Sequence, residues 1–247
     1  MKIEDLYKLY LESSGVSTDT RKIKEGSIFF ALKGDNFNAN EFAEQALQKG
    51  AKIAVIDEEK YENEHFVLVK DVLETLQHLA RFHRKQLGIP IIALTGSNGK
   101  TTTKELINAT LSKKYKTTAT FGNLNNHIGV PLTLLSMTSE TEVGIVEMGA
   151  NHQREIAFLC EIALPDYGYI TNFGKAHLEG FGSIEGVIKG KSELYDSLKA
   201  RQKTLFLNLD DPIQRKQLSY PKVFSFGQDD NCLLYTSDAA DEEDSVD

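Results

Sequence analysis

A glycine-rich segment, GSNGKTT at residues 96–102, carries the side chains best suited to chemistry in this chain. It lies between the apolar run Ile91–Thr95, which predicts a buried strand, and a stretch from Lys100 to about Lys113 that predicts a helix. Nucleotide phosphates need backbone N–H donors, a helix N-terminus and one cation, and this spacing supplies all three. The segment therefore predicts a phosphate-binding loop.

Two side chains of this loop have distinct expected roles. Lys100 is placed to reach the β- and γ-phosphates of a nucleotide, and the Thr101 hydroxyl is placed to ligate Mg²⁺. The general pattern has a glycine where this chain has Leu94. A phosphate loop defines a class of proteins and not a reaction, so kinases, GTPases and ATP-dependent ligases all remain open at this point.

The strand before the loop belongs to a longer alternation of strands and helices. Further strands are predicted at residues 143–147, 167–171 and 204–208, with helices between them. Such alternation favours a mainly parallel sheet that is covered on both faces. We expect residues 89–231 to form this α/β, nucleotide-binding domain.

A smaller α/β domain is predicted before it, over residues 1–88. Asp71 and Glu74 form the pattern of a capping box that opens a helix running toward Leu87, and Gly88 with Pro90 ends that helix. Strands are predicted at 28–32, 52–57 and 65–70, and a helix at 41–50 with Gly50 as its C-cap.

Composition excludes several classes of protein. The chain has 247 residues, of which 40% are hydrophobic, so it is too apolar to be disordered. No apolar run approaches the roughly 18 residues that span a bilayer, and the first residues lack the pattern of a secretory signal. Two cysteines, Cys160 and Cys232, are too few for a disulfide framework. We expect a soluble, cytoplasmic protein.

The formal net charge of −8 is concentrated at the C-terminal end. Residues 232–247 hold six acidic and no basic side chains, so the rest of the chain is close to neutral and indicates no nucleic-acid or membrane partner. This stretch resembles the conceptual translation of a transposase adapter used in DNA library preparation. We predict that it is a non-native tail and that a C-terminal part of the protein is missing; a genuine acidic tail is the alternative.

Around the phosphate loop the sequence resembles the Mur ligase family, ATP-dependent amide-bond synthetases of peptidoglycan precursor assembly. The resemblance extends from residue 1 to about residue 230, and the phosphate loop is also shared with folylpolyglutamate synthases. It rests on six ordered blocks: STDTR at 17–21, FFALKG at 29–34, TGSNGKTT at 95–102, GNLNN at 122–126, EMGANH at 147–152 and AHLEGFG at 176–182.

The resemblance implies a two-step reaction. The γ-phosphoryl group of ATP passes to a substrate carboxylate to give an acyl phosphate, which an amine then attacks. The blocks at 147–152 and 176–182 favour the family member whose substrates are UDP-N-acetylmuramoyl-tripeptide and D-alanyl-D-alanine. The family also implies a monomer, with residues 1–88 binding the UDP-sugar and residues 89–231 forming an incomplete central domain.

The resemblance implies roles for four catalytic side chains: Lys100, Glu147, His177 and Lys191. Glu147 ends an apolar strand and, with Thr101, is expected to hold Mg²⁺, and His177 resembles the family's histidine at a second Mg²⁺ site. Lys191 resembles a lysine that the family carries as a carbamate, although Lys189 leaves the register open. The expected ATP-binding residues are Thr95, Gly96, Ser97, Asn98, Gly99, Lys100, Thr101 and Thr102.

Substrate contacts are expected from three loops. In the first domain, Thr20 and the Arg21 fork resemble the segment that holds the UDP moiety, with Lys33 and Asn36 as weaker candidates. In the second domain the candidates are Asn125, Asn126, Asn151 and His152. Ordinary turn chemistry is the alternative interpretation of these asparagines.

Three hypotheses of function remain. The first is the dipeptide-adding ligase, and the second is a sibling Mur ligase or a folylpolyglutamate synthase-like ligase. The third is that the chain binds nucleotide and UDP-sugar without catalysis, because a C-terminal domain that carries much of the amine site in the family is missing.

Overall fold

The computed structural model describes residues 1–61 and 63–228. The predicted non-native tail, from Cys232 onward, lies outside the described residues. Within them the chain forms two parallel sheets, one before and one after Gly88, which confirms the predicted α/β class. The assignment of the two segments to separate domains stays a prediction.

The first segment is built around a four-stranded parallel sheet in the order β1-β2-β5-β6. One of its two central strands, β2, has all three side chains buried: Ile28 and Phe30 face one core and Phe29 faces the other. Burial on both faces explains why this strand is a continuous apolar run. The elements are α1 (Ile3–Leu11), β1 (Val16–Ser17), β2 (Ile28–Phe30), β3 (Lys33–Gly34), β4 (Phe37–Asn38), α2 (Ala43–Gln48), β5 (Ile53–Ile56), β6 (Phe66–Leu68) and α3 (Val72–Leu87), with 3-10 turns at Thr20–Lys22, Ala39–Phe42 and Glu59–Tyr61.

The second segment contains a six-stranded parallel sheet in the order β12-β11-β10-β7-β9-β8. The sequence analysis missed β8 and β12, which are short or partly exposed. The elements are β7 (Ile91–Thr95), α4 (Lys100–Leu111), β8 (Thr117–Ala119), α5 (Gly129–Leu135), β9 (Val143–Glu147), α6 (Glu155–Ala163), β10 (Tyr167–Ile170), α7 (Leu178–Phe181), α8 (Ile184–Ala200), β11 (Thr204–Asn208), α9 (Pro212–Arg215) and β12 (Val223–Phe226).

The register of β7 brings the functional candidates to one edge of this sheet. Leu94 pairs with Glu147 of β9, and Thr95 pairs with Ile170 of β10. Because all three strands are parallel, their carboxyl ends and the loops that follow meet at the same edge. The phosphate loop, Glu147 and the segment after β10 are therefore neighbours.

Helix α3 ends the first segment as the sequence predicts. The Asp71 side chain accepts a hydrogen bond from the backbone N–H of Glu74 at 2.8 Å, and Gly88 ends the helix in the left-handed conformation with φ +63°. These contacts confirm the predicted N-cap and stop signal.

The same helix packs against both segments. It contacts α1 on one side and α5 and α6 on the other. At this junction the buried Tyr10 hydroxyl donates to the carbonyl of Leu135 at 2.8 Å, and His83 Nε2 lies 2.9 Å from the carbonyl of Met137. One continuous apolar core runs through the junction.

In the part of the chain that the structure describes, no helix combines the length and apolar character needed to cross a membrane.

Candidate functional site

The phosphate loop joins β7 to α4 and ends at the helix N-terminus. Gly96 and Gly99 have φ values of +145° and +75°, which L side chains rarely adopt. A Cβ atom on Gly96 would collide with the side chain of Thr171. The chain can turn sharply after β7 because glycine at position 96 has no side chain that would meet Thr171.

The loop is held by the segment that follows β10. Ser97 donates through its backbone N–H to the carbonyl of Asn172 at 3.1 Å and through its hydroxyl to the carbonyl of Gly174 at 2.6 Å. The carbonyl of Asn98 accepts from the Thr171 hydroxyl at 2.6 Å and from the Asn172 amide at 2.9 Å. The sequence analysis missed these anchoring residues, although the polar stretch directly after an apolar strand is a usable signal.

Lys100 is the first residue of α4, and its side chain folds back over the glycine-rich turn. Its Nζ donates to the carbonyl of Gly96 at 2.8 Å. Burial lowers the pKa of Lys100 from its ordinary value, and the nearby carboxylate of Glu147 opposes that shift. The cation is thus desolvated next to the loop, where it would bind a phosphate more strongly than in water.

Glu147 is the last residue of β9 and its side chain is 1% exposed. Its Oε2 accepts from the Thr101 hydroxyl at 3.0 Å, and its Oε1 accepts from the Asn125 amide at 2.8 Å. Its backbone N–H donates to the hydroxyl of Thr120 at 3.0 Å. Thr101 and Asn125 therefore orient this carboxylate, and Thr120 holds its backbone.

Thr101 and Glu147 fit a Mg²⁺ ion. Adjacent oxygens in an octahedral Mg²⁺ shell lie about 2.9 Å apart, given ligand distances of about 2.0–2.1 Å, and the observed oxygen pair is separated by 3.0 Å. Residues 1–61 and 63–228 contain no cluster of three or more His, Cys, Asp or Glu residues that would hold a metal on their own. The arrangement suits an ion that is shared with phosphate oxygens and water.

Lys191 lies on α8 and is 1% exposed, whereas the alternative, Lys189, is exposed. Its Nζ donates to the carbonyl of Ala150 at 3.2 Å and lies 5.2 Å from the ring centre of Phe181. Burial, aided by the positive charge of Lys100, lowers the pKa of Lys191 to about 8. The neutral amine is therefore more populated near physiological pH than it is for an exposed lysine.

A cavity of about 700 Å³ opens beside the loop. Its wall includes five of the expected site residues: Lys100, Asn125, Asn126, Asn151 and His177. It also includes residues to which the sequence analysis gave no role: Asn123, His127, Gln153, Arg154, Glu155 and Phe158.

The asparagines of this cavity have different contacts. Asn125 holds Glu147, as described above. The side-chain oxygen of Asn126 accepts from the N–H groups of Ile128 and Gly129, so that oxygen shapes the turn into α5. The amide of Asn151 has no hydrogen bond within the described residues, and its backbone N–H donates to Glu155.

Other expected site residues lie away from this cavity wall. Arg21 is exposed and forms a forked ion pair with Asp19, with 2.9 Å between Nη2 and Oδ2, which lowers the pKa of Asp19 to about 2. The carbonyl of Thr20 accepts from Lys49, and Lys33 pairs with Asp57 at 3.0 Å. His152 is exposed, and its ring lies beside Glu155.

A larger cavity, of about 850 Å³, lies between α1, β1, α3 and the end of α5. Tyr10, His83 and Met137 contribute to its wall, and it contains none of the catalytic candidates. The smaller cavity, in contrast, adjoins the phosphate loop and carries Lys100.

Comparison with known proteins adds an independent line of observation. Residues 12–84 match the family model "Mur ligase family, catalytic domain", and residues 94–247 match "Mur ligase middle domain". A UDP-N-acetylmuramoyl-tripeptide–D-alanyl-D-alanine ligase of Bacillus subtilis is 39% identical over 216 residues, which are 86% of this chain and 47% of that protein.

Solved structures of ligases with the same type of name are also similar to this chain. The MurF ligase of Thermotoga maritima, crystallised in complex with ADP, superposes with a TM-score of 0.79 at 33% identity, over 88% of this chain and 51% of that one. The UDP-N-acetylmuramoylalanyl-D-glutamyl-2,6-diaminopimelate–D-alanyl-D-alanyl ligase of Acinetobacter baumannii gives a TM-score of 0.77 at 32% identity, over 89% and 52%.

The chain spans about half the length of these relatives. The family model of the middle domain alone covers more than half of its residues, and it includes the phosphate loop, Glu147 and Lys191. The chain belongs to the Mur ligase family.

Proposed function

We propose that the protein is the front part of an ATP-dependent amide ligase that joins D-alanyl-D-alanine to UDP-N-acetylmuramoyl-tripeptide in peptidoglycan precursor synthesis. The observation that carries the proposal is the pairing of Thr101 with Glu147 beside Lys100, at the mouth of an amide-lined cavity. Relatives that bear this activity in their names support the choice of substrates.

In the first step, a carboxylate oxygen of the tripeptide attacks the γ-phosphorus of ATP, and ADP leaves. The N–H groups of the loop and the N-terminus of α4 hold the phosphates, and Lys100 neutralises charge on the transferring group. Mg²⁺, when bound by Thr101 and Glu147, would supply further neutralisation of phosphate charge. His177, which lines the same cavity, is proposed as a ligand that would hold a second Mg²⁺ ion.

In the second step, the amine of the dipeptide attacks the acyl carbon, inorganic phosphate leaves and the amine loses a proton. No nucleophilic side chain is required, because the acyl phosphate is already activated. The protein's contribution is positioning and electrostatic stabilisation, which suits a cavity of amides and cations.

We further propose that Lys191 carries a carbamate. The Lys191 ammonium first loses one proton, and the neutral amine then attacks the carbon of CO₂ and loses a second proton, so a cation becomes an anion beside Lys100. The support is a buried amine whose pKa is lowered to about 8, since the neutral form reacts. A ¹³C-NMR signal from ¹³C-bicarbonate is expected in the wild type and in Lys189→Arg, and should vanish in Lys191→Arg. Persistence of the signal in Lys191→Arg would exclude this site.

The third hypothesis, a chain that binds without turnover, is favoured for the 247 residues themselves because they span about half the length of the relatives. A sibling ligase with another amine is the remaining alternative. Calorimetry with Mg–ATP and with UDP-N-acetylmuramoyl-tripeptide, followed by a product assay with D-alanyl-D-alanine, separates these cases.

The matched variants for that experiment change one lysine at the start of α4 and one just after its end. Lys100→Met should abolish ATP binding, and Lys113→Met, an exposed residue beyond the end of α4, should not. We expect binding of both substrates and no product from the 247 residues. Clear product formation would contradict the binding-only hypothesis, and absence of UDP-sugar binding would contradict the proposed substrates.

A further inference from the structure

Arg154 has an unfavourable backbone conformation and also lines the candidate cavity. Its backbone is in the left-handed region, with φ +71°, which is unfavourable for a residue with a side chain. Its side chain forms part of the 700 Å³ cavity wall. Strained residues persist where surrounding structure holds them, and they are concentrated at functional sites.

The strain is imposed by contacts on both sides of the residue. Glu193 of α8 accepts from the backbone N–H of Arg154 and from that of Ala157 at 3.0 Å, so it caps the start of α6. The carbonyl of Arg154 accepts from Phe158 at 3.0 Å, in the first turn of the helix. A glycine would adopt this conformation at lower cost.

The guanidinium of Arg154 has no hydrogen-bond or ion-pair partner among residues 1–61 and 63–228. The adjacent carboxylate, Glu155, is engaged elsewhere: it accepts from the backbone N–H groups of Asn151 and His152 at 2.6 and 3.1 Å. Burial alone would raise the pKa of Glu155, but these donors lower it overall, so the side chain stays an anion committed to the turn. The fork of Arg154 is left for a ligand.

We propose that Arg154 binds a carboxylate of the peptide arm of the UDP-sugar substrate that does not react. This inference rests on the proposed function. A guanidinium fork takes both oxygens of a carboxylate in a planar pair, so it would hinder attack by the reacting carboxylate on phosphorus. The name of the Acinetobacter relative specifies a glutamyl residue inside the peptide. Such a residue uses one of its two carboxylates for the bond to the next residue, so the other carboxylate stays free.

The role is one of substrate recognition. Arg154 would fix the peptide arm along the cavity so that the terminal carboxylate points toward Lys100 and the phosphate loop. The amides of Asn151 and Gln153, on the same wall, are placed to accompany it.

The test uses Arg154→Gly, which removes the guanidinium and relieves the backbone. Calorimetry on the 247-residue chain should show tripeptide affinity reduced about tenfold or more, the loss expected for one charge-assisted pair. The melting temperature should rise by about 2–4 °C. Gln202→Gly, at another left-handed position with φ +54°, is the control: it should raise the melting temperature and leave affinity unchanged.

Two ligands identify the group that is recognised. The tripeptide with its internal glutamyl carboxylate converted to a carboxamide should bind wild type and Arg154→Gly equally. UDP-N-acetylglucosamine, which has the diphosphate and no carboxylate, should also not distinguish them. An equal loss for this ligand would assign Arg154 to the diphosphate and overturn the inference.

The outcomes also separate the inference from the proposed function. If wild type binds the tripeptide and Arg154→Gly binds it equally well, the role of Arg154 is wrong and the proposed function stands. If wild type binds no UDP-sugar at all, the proposed substrates are wrong and the inference falls with them.

Discussion

The Thr101 hydroxyl donates a hydrogen bond to Oε2 of Glu147 across 3.0 Å, which joins the first turn of α4 to the end of β9. The two residues are 46 positions apart in the chain, yet they present a hydroxyl and a carboxylate at the spacing of neighbouring Mg²⁺ ligands. Asn125 holds the other oxygen of Glu147, so the carboxylate cannot rotate freely.

Glu147→Gln should remove the Mg²⁺-dependent part of ATP binding. The amide keeps the size of the side chain but lacks the anionic oxygen that the ion needs. We expect Mg–ATP affinity to fall about tenfold or more, the effect of losing about 1.4 kcal/mol or more, and affinity for ATP in EDTA to stay the same. Calorimetry with both forms checks this, with Glu140→Gln on the surface as the control. An equal loss with and without Mg²⁺ would argue against the ligand role.

Substitutions of the two loop glycines should differ in cost. Gly96→Ala places a Cβ atom against Thr171, whereas a Cβ atom at Gly99 meets nothing within 4 Å. Gly99→Ala should therefore lose only the left-handed preference, about 1 kcal/mol in free energy of unfolding, and Gly96→Ala clearly more. Urea denaturation of both variants measures this, and equal losses would mean that Thr171 moves away easily.

The free energy of unfolding should depend on pH through Lys191. Its pKa is lowered from 10.5 to about 8 in the folded chain, so below pH 8 both states bind the proton and the folded state bears the full cost of burying the charge. Between pH 8 and 10.5 only the unfolded state binds it, so stability rises with pH.

Lys191→Met should remove this dependence. At pH 7 and without CO₂ the variant should be more stable by about 3 kcal/mol, and the advantage should shrink toward pH 10. Urea denaturation at several pH values tests this, with the exposed Lys189→Met as the control. A constant difference across the pH range would mean that packing, and not ionisation, sets the effect.

The junction at α3 should couple the two sheets. Tyr10→Phe removes a buried donor from the carbonyl of Leu135, and we expect a loss of about 1–3 kcal/mol in the free energy of unfolding. Tyr7→Phe, which loses a less buried bond to His83, should cost less.

Calorimetry should show one unfolding transition for the wild type. Two separate transitions would support the predicted domain boundary at residue 88 as an independent folding limit.

The sequence predicted the local features of this protein well. The strand limits of β7, β9 and β11, the N-cap at Asp71 and the glycine-rich turn at 96–99 all follow from periodicity and short-range side-chain chemistry. Such features depend on residues a few positions apart, so a linear pattern contains the information.

The tertiary structure decided which distant groups meet. The order β10-β7-β9 places Thr171 and Asn172 under the phosphate loop, and the loop after β8 brings Asn125 to Glu147. The left-handed backbone of Arg154 is likewise imposed by Glu193, which is 39 residues away. Strand order, register and the packing of α8 against α6 set these contacts, and hydrophobic periodicity carries no information on which strands become neighbours.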